Sequence, residues 1–125
     1  MKILFATAGP ITARENADYV VTIAKRLRAE LIVLHVINEK NENENGDNAL
    51  RIFIKSGKKA RVQVTGVLQT GDIVSQIIKM AELESVAIII MGASKEKLVD
   101  QWLSSYTKQK TKVPVLVIPD DQAQE

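Results

Sequence analysis

The stretch Val86-Ala87-Ile88-Ile89-Ile90-Met91-Gly92-Ala93-Ser94 constrains this chain more than any other. An unbroken, isoleucine-rich apolar run of this length reads as a strand buried on both faces. Gly92 marks the turn that ends it, and Ser94 is placed to cap a following helix. Strands buried on both faces belong to parallel sheets with helices above and below. In such sheets ligands sit just beyond the carboxyl ends of the strands. Gly92 to Lys95 is therefore the first place to look for function.

Taken in order, the chain repeats one alternation. Lys2 to Thr7 is an apolar strand, broken by Ala8-Gly9-Pro10. Thr12-Ala13-Arg14-Glu15 has the form of a capping box. Behind it Ala13, Ala17, Val20, Val21, Ala24 and Leu27 form a helical stripe. Lys25, Arg26 and Arg28 crowd its end, where cations suit the helix dipole. Leu31 to Ile37 is a second buried strand, completing a βαβ unit with a right-handed crossover. Glu39 to Asp47, polar and Asn/Glu-rich, reads as a loop. Asn48 to Lys59 reads as a short helix carrying Ala49, Leu50, Phe53 and Ile54 on one face, with Gly57 near its end. Arg61 to Thr65 alternates as a third strand, continued by Val67-Leu68 past a bulge at Gly66. Gly71-Asp72 turns the chain, and Asp72 caps a helix carrying Ile73, Val74, Ile77, Ile78 and Ala81. The Val86 strand follows. Leu98, Val99, Trp102, Leu103 and Tyr106 then share a helical face, and Val113 to Ile118 is the last strand, ended by Pro119.

This pattern predicts an α/β fold: a Rossmann-like open parallel five-stranded sheet with helices on both faces. In the order 3-2-1-4-5 the switch point falls between the first and fourth strands, at Ala8-Gly9-Pro10 and Gly92-Ala93-Ser94-Lys95. The expected domain spans residues 1–119, with 120–125 a disordered tail.

Composition excludes several chemistries. The chain has no cysteine and one histidine, which removes disulfides, thiolate catalysis and multi-histidine metal centres. A net charge of +2 is too small for a nucleic-acid platform, and no apolar run is long enough to span a membrane. With no cleavable signal pattern behind Met1-Lys2, the expected location is the cytoplasm. No nucleophile–base pair stands out, so no catalytic residue is assigned. A phospho-receiver domain would need acidic residues after the first and third strands, and residues 6–10 and 64–70 contain none.

The ordered landmarks resemble the universal stress protein family over nearly the whole length. Lys-Ile-Leu-Phe-Ala-Thr-Ala-Gly at 2–9 is similar to that family's opening strand and loop. Ile23-Ala24-Lys25-Arg26-Leu27 through Leu34-His35-Val36 is similar to its first helix and second strand. Gly71-Asp72, Ile90-Met91-Gly92-Ala93-Ser94 and Pro114-Val115-Leu116-Val117-Ile118-Pro119 match its later landmarks. The resemblance implies the 3-2-1-4-5 sheet, a homodimer paired along the last strand and, in one branch, ATP at the switch point. Mg2+ would accompany the nucleotide; no protein metal ligand is assigned.

The departures bear on function. ATP-binding members carry an Asp before the glycine of the first loop, where this chain has Ala8 beside Gly9. They also carry Gly-x-x-Gly, nine residues, then Gly-Ser or Gly-Thr. Gly92 matches the first glycine and Lys95 falls on the second. Counting forward puts the last pair at Ser105-Tyr106, whereas counting back from Pro114 puts it near Gln101-Trp102, about one helical turn away. Lys95 adds a Cβ where backbone would approach phosphate, and also a positive charge that partly replaces it. The expected function is a homodimeric stress-response binding protein with weakened or altered ATP binding. The alternative is a nucleotide-free interaction module of the same fold. Candidate ligand contacts are Thr7, Ala8, Gly9, Val36, Met91, Gly92, Ser94 and Lys95; candidate dimer contacts are Val113, Val115 and Val117. His35 reads as a buried structural residue, Trp102 and Tyr106 as packing, and Lys108, Lys110 and Lys112 as a solvated rim.

Overall fold

The structure, a computed structural model, describes residues 1–7, 10–37, 42–92 and 111–118. Their elements are β1 (Lys2–Thr7), α1 (Pro10–Arg26), β2 (Glu30–Ile37), α2 (Glu42–Ala60), β3 (Val64–Thr70), α3 (Ile73–Leu83), β4 (Ile88–Gly92) and β5 (Val115–Ile118). The strands form one sheet in the order β3-β2-β1-β4-β5, and every pairing is parallel. The expected topology is the observed one. The expected fourth helix, with Leu98, Val99, Trp102, Leu103 and Tyr106, lies outside the described residues, as do Lys108, Lys110, Pro119 and the 120–125 tail.

Strand alternation divides the core in two. Ile3 and Phe5 of β1, Leu31 and Val33 of β2 and Ile90 of β4 point to one face. There they meet Ala13, Ala17, Val20, Val21 and Ala24 of α1 and Ala49, Leu50 and Phe53 of α2. Leu4, Ala6, Ile32, Leu34, Ile89 and Met91 point to the other and meet Val74, Ile77, Met80 and Ala81 of α3. Ile3, Leu4 and Phe5 are completely buried, and each such side chain contributes about 1.5–3 kcal/mol through burial. The Phe5 and Phe53 rings, 5.0 Å apart between centroids and tilted by 36°, join the central strand to α2.

The three helices of the described residues end alike. Arg28, Arg61 and Ser85 have φ of 53°, 61° and 52°, and the next N–H donates five residues back: Ala29 to Ala24, Val62 to Gly57 and Val86 to Ala81. These are Schellman ends built without glycine. The N-terminus of α3 is built as expected. Asp72 is the N-cap, and its Oδ2 accepts from the Ser75 N–H and from the Ser75 hydroxyl, both at 2.9 Å.

Five sequence expectations are corrected. Helix α1 begins at Pro10, so Thr12 lies inside it and is not its cap; proline's fixed φ suits a first helical position. Leu27 lies past the last turn of α1 and is exposed. Residues 42–47, expected as loop, are the first turns of α2, because tertiary packing overrides their weak local propensity. Strand β3 runs through Gly66 without a bulge, in unbroken register from Leu31↔Val64 to Ile37↔Thr70. It also starts later than Arg61, whose left-handed backbone belongs to the end of α2.

Gly57 lets that end of α2 approach β3 closely. A Cβ there would collide with the Val64 side chain and lie 2.9 Å from the Val62 carbonyl oxygen. Backbone cannot move aside as a side chain can. Gly57→Ala should therefore destabilise the protein by about 1–3 kcal/mol, despite alanine's better helix propensity. Urea unfolding measures this, and an unchanged or raised midpoint would contradict the packing described.

Candidate functional site

Strand order reverses between β1 and β4. From β1 the chain proceeds through α1 to β2 on one side; from β4 the sheet extends to β5 on the other. The register Ile3↔Ile88 through Ala6↔Met91 sets the carboxyl ends of the two strands side by side. Thr7 is the last residue of β1 and Gly92 the last of β4, and both are buried. Crevices at such reversals are where open α/β sheets bind ligands.

Of the sequence-derived candidates, the structure brings Thr7, Met91 and Gly92 together on adjacent strand ends, with Val36 one strand further out. Their side chains do not share a face. Val36 and Met91 belong to the α3-side core, 5% and 0% exposed, whereas Thr7 follows Phe5 toward α1 and α2. Val36 and Met91 can therefore offer a ligand only backbone at their strand ends, with little free side-chain surface. Ala8, Gly9, Ser94 and Lys95 lie outside the described residues. Val113 and Val115 are half-buried against the α3-side core, while Leu116 and Val117 on the β5 edge are 41% and 39% exposed.

A supporting residue stands behind Thr7. His35, its partner in the β1–β2 register, is 3% exposed, and its Nδ1 lies 3.2 Å from the Thr7 carbonyl oxygen. A carbonyl only accepts, so this bond requires the proton on Nδ1. The contact fixes the last carbonyl of β1 at the strand-order reversal. Gly46 closes the other side of the ring: a Cβ there would lie 2.6 Å from His35 Cδ2 and 2.8 Å from Leu68 Cδ2. Sequence reading placed His35 in the core but missed Gly46, because its polar neighbours carry no periodic apolar signal.

Among the described residues no group of three or more His, Cys, Asp or Glu side chains could hold a metal ion. No helix among them is long and apolar enough to cross a membrane.

The family model of the universal stress proteins matches residues 1–119. The chain belongs to the universal stress protein family. A universal stress protein solved in complex with cAMP superposes with a TM-score of 0.72 at 15% identity, over 95% of this chain and 96% of that one. An Arabidopsis thaliana member with AMP bound gives 0.72 at 15% identity, over 99% and 94%. The Archaeoglobus fulgidus protein in complex with dAMP gives 0.70 at 18%, over 94% and 97%. At these identities the likeness is one of fold. No curated protein matches the chain significantly in sequence.

Gly46→Ala tests the support behind Thr7. Leu68 can yield at its flexible tip, but the ring is held between strand and helix, so His35 must shift. The variant should lose about 1–3 kcal/mol of stability and move the His35 ring resonances. Unchanged His35 resonances would contradict the packing described.

Proposed function

We propose that this universal-stress-type protein is a cytoplasmic homodimer, one domain over residues 1–119, that takes ATP or a related nucleotide weakly at the β1/β4 switch point. The observation carrying this reading is the juxtaposition of Thr7 and Gly92 at the strand-order reversal. It is supported by family membership and by relatives solved with cAMP, AMP and dAMP. In this reading the base lies near Thr7, Ala8 and Val36, beside Gly9 and Met91. The phosphates meet Gly92, Ser94 and Lys95. Gly92 presents backbone without a Cβ, and Lys95 supplies positive charge. The buried strand ends Thr7 and Gly92, side by side at the reversal, support this reading. Mg2+ would be held by the nucleotide's own phosphates.

The weakness follows from Ala8, which stands where nucleotide-binding members carry a carboxylate. One lost charged hydrogen bond is worth about 1.5–3 kcal/mol, or roughly ten- to hundredfold in affinity. Ala8→Asp combined with Lys95→Gly should tighten ATP binding at least about tenfold by calorimetry. Tight wild-type binding would refute the weakening. Failure of both proteins to bind would favour the nucleotide-free interaction module.

That alternative, like the dimer, draws on β5. It is the outer strand beside β4, short and apolar, with Leu116 and Val117 exposed. An unpaired apolar edge invites association, and two-fold pairing of identical edges would satisfy it. Val113 and Val115 would support that edge from the core side, and Val117 would lie in the contact. Val117→Lys should shift sedimentation from dimer to monomer without altering the fold. An unchanged sedimentation coefficient would remove β5 from the interface.

A further inference from the structure

We propose that a recess between α1 and α2, sharing no residue with the switch point, is a second ligand site that takes a phosphate group. The recess measures about 200 Å3. That is several times the roughly 30 Å3 share of a liquid water, so a compact oxyanion fits. Ala17 and Ile52 supply its apolar lining. Its polar lining is Arg14 and Asp18 from α1, and Lys55, Ser56 and Lys59 from α2.

Helical spacing explains the convergence. Arg14 and Asp18 are four apart, Lys55 and Lys59 are four apart, and Ser56 lies three before Lys59, so each set projects on one side of its helix. Three cations therefore meet around one carboxylate. That carboxylate is already engaged: the Ser56 hydroxyl donates to Asp18 Oδ1 at 2.6 Å, and Ser56 is 9% exposed. This short charge-assisted bond fixes the wall of the recess. Among the described residues the one ion pair is Lys2–Glu84, so Arg14, Lys55 and Lys59 have no carboxylate within ion-pair distance there.

The charge balance selects the ligand. Three cations against Asp18 leave two positive charges, which suits a phosphate dianion. Arg14 supplies the planar fork that binds two phosphate oxygens together, and the lysines act as point charges. The Ser56 proton is committed to Asp18, so the cations carry the recognition. Lys59 also lies in the last turn of α2, whose negative dipole end offsets part of its charge. Arg14 and Lys55 are therefore the stronger contributors.

The test is an amide-resolved NMR titration of the full chain with inorganic phosphate and with pyrophosphate, at constant ionic strength. Saturable shifts should appear at Arg14, Asp18, Lys55, Ser56 and Lys59, separable from any at Thr7 or Gly92, which report the switch point. Arg14→Gln or Lys55→Gln should each weaken phosphate by about two- to fivefold, as befits exposed charges, and the pair by about tenfold. Asp18→Asn keeps an acceptor for Ser56 and removes the like charge, so it should tighten phosphate severalfold. Arg14, Asp18 and Lys55 are exposed, so the variants should keep the wild-type amide pattern elsewhere. Non-saturating shifts spread over every lysine, no shift at α1 and α2, or an affinity unaltered in the double variant would each overturn the proposal.

Discussion

The ladder between β1 and β4 is the constraint on which the rest depends. β1 is flanked by strands on both sides and covered on both faces, so Ile3, Leu4 and Phe5 have no contact with water. Its partner β4 is buried nearly as deeply, with Ile89, Ile90 and Met91 inaccessible. Two neighbouring strands of such apolarity can only be central. Once they are central and parallel, the remaining strands must extend outward in both directions. The strand ends at the reversal then border a crevice that no consecutive connection fills. The candidate nucleotide site is thus a consequence of where the most apolar segments must lie.

The two edges of the sheet serve different ends. At the amino edge, α1, α2 and α3 each turn into the next strand through a left-handed residue and a bond to the fifth residue back. The Lys2–Glu84 pair, 3.1 Å long and partly exposed, adds at most a few tenths to one kcal/mol there. At the carboxyl edge lie Thr7, Val36, Gly92 and the Asp72 cap. The His35–Thr7 contact buttresses that edge from within the core.

Apolar runs and their punctuation made the fold legible. β1, β2 and β4 are short apolar runs punctuated by Gly, Pro or charged residues, and Asp72 announced its helix by its place after Gly71. The misreadings share a cause. Thr12-x-x-Glu15 has the right residues for a cap, but Pro10 had already started the helix. Residues 42–47 have the composition of a loop, yet Gly46 admits close packing against His35 and Leu68, a long-range contact that no local pattern encodes. Gly66 suggested a bulge, but what it meets is Leu50 of α2, with a Cβ coming within 3.2 Å. Of the site, Thr7, Met91 and Gly92 could be placed because strand ends follow from strand order. The α1/α2 recess could not, because it depends on how two helices pack.

The proposed weak nucleotide binding at the β1/β4 switch point rests on Ala8 and Lys95 standing where nucleotide-binding relatives are expected to carry Asp and Gly. Its most direct test is a crystal structure grown with saturating ATP. Nucleotide should lie at the β1/β4 strand ends, base toward Thr7 and Val36, phosphates along Gly92, Ser94 and Lys95. Nucleotide bound elsewhere, or a crevice closed by the segment after Lys95 with none bound, would contradict it.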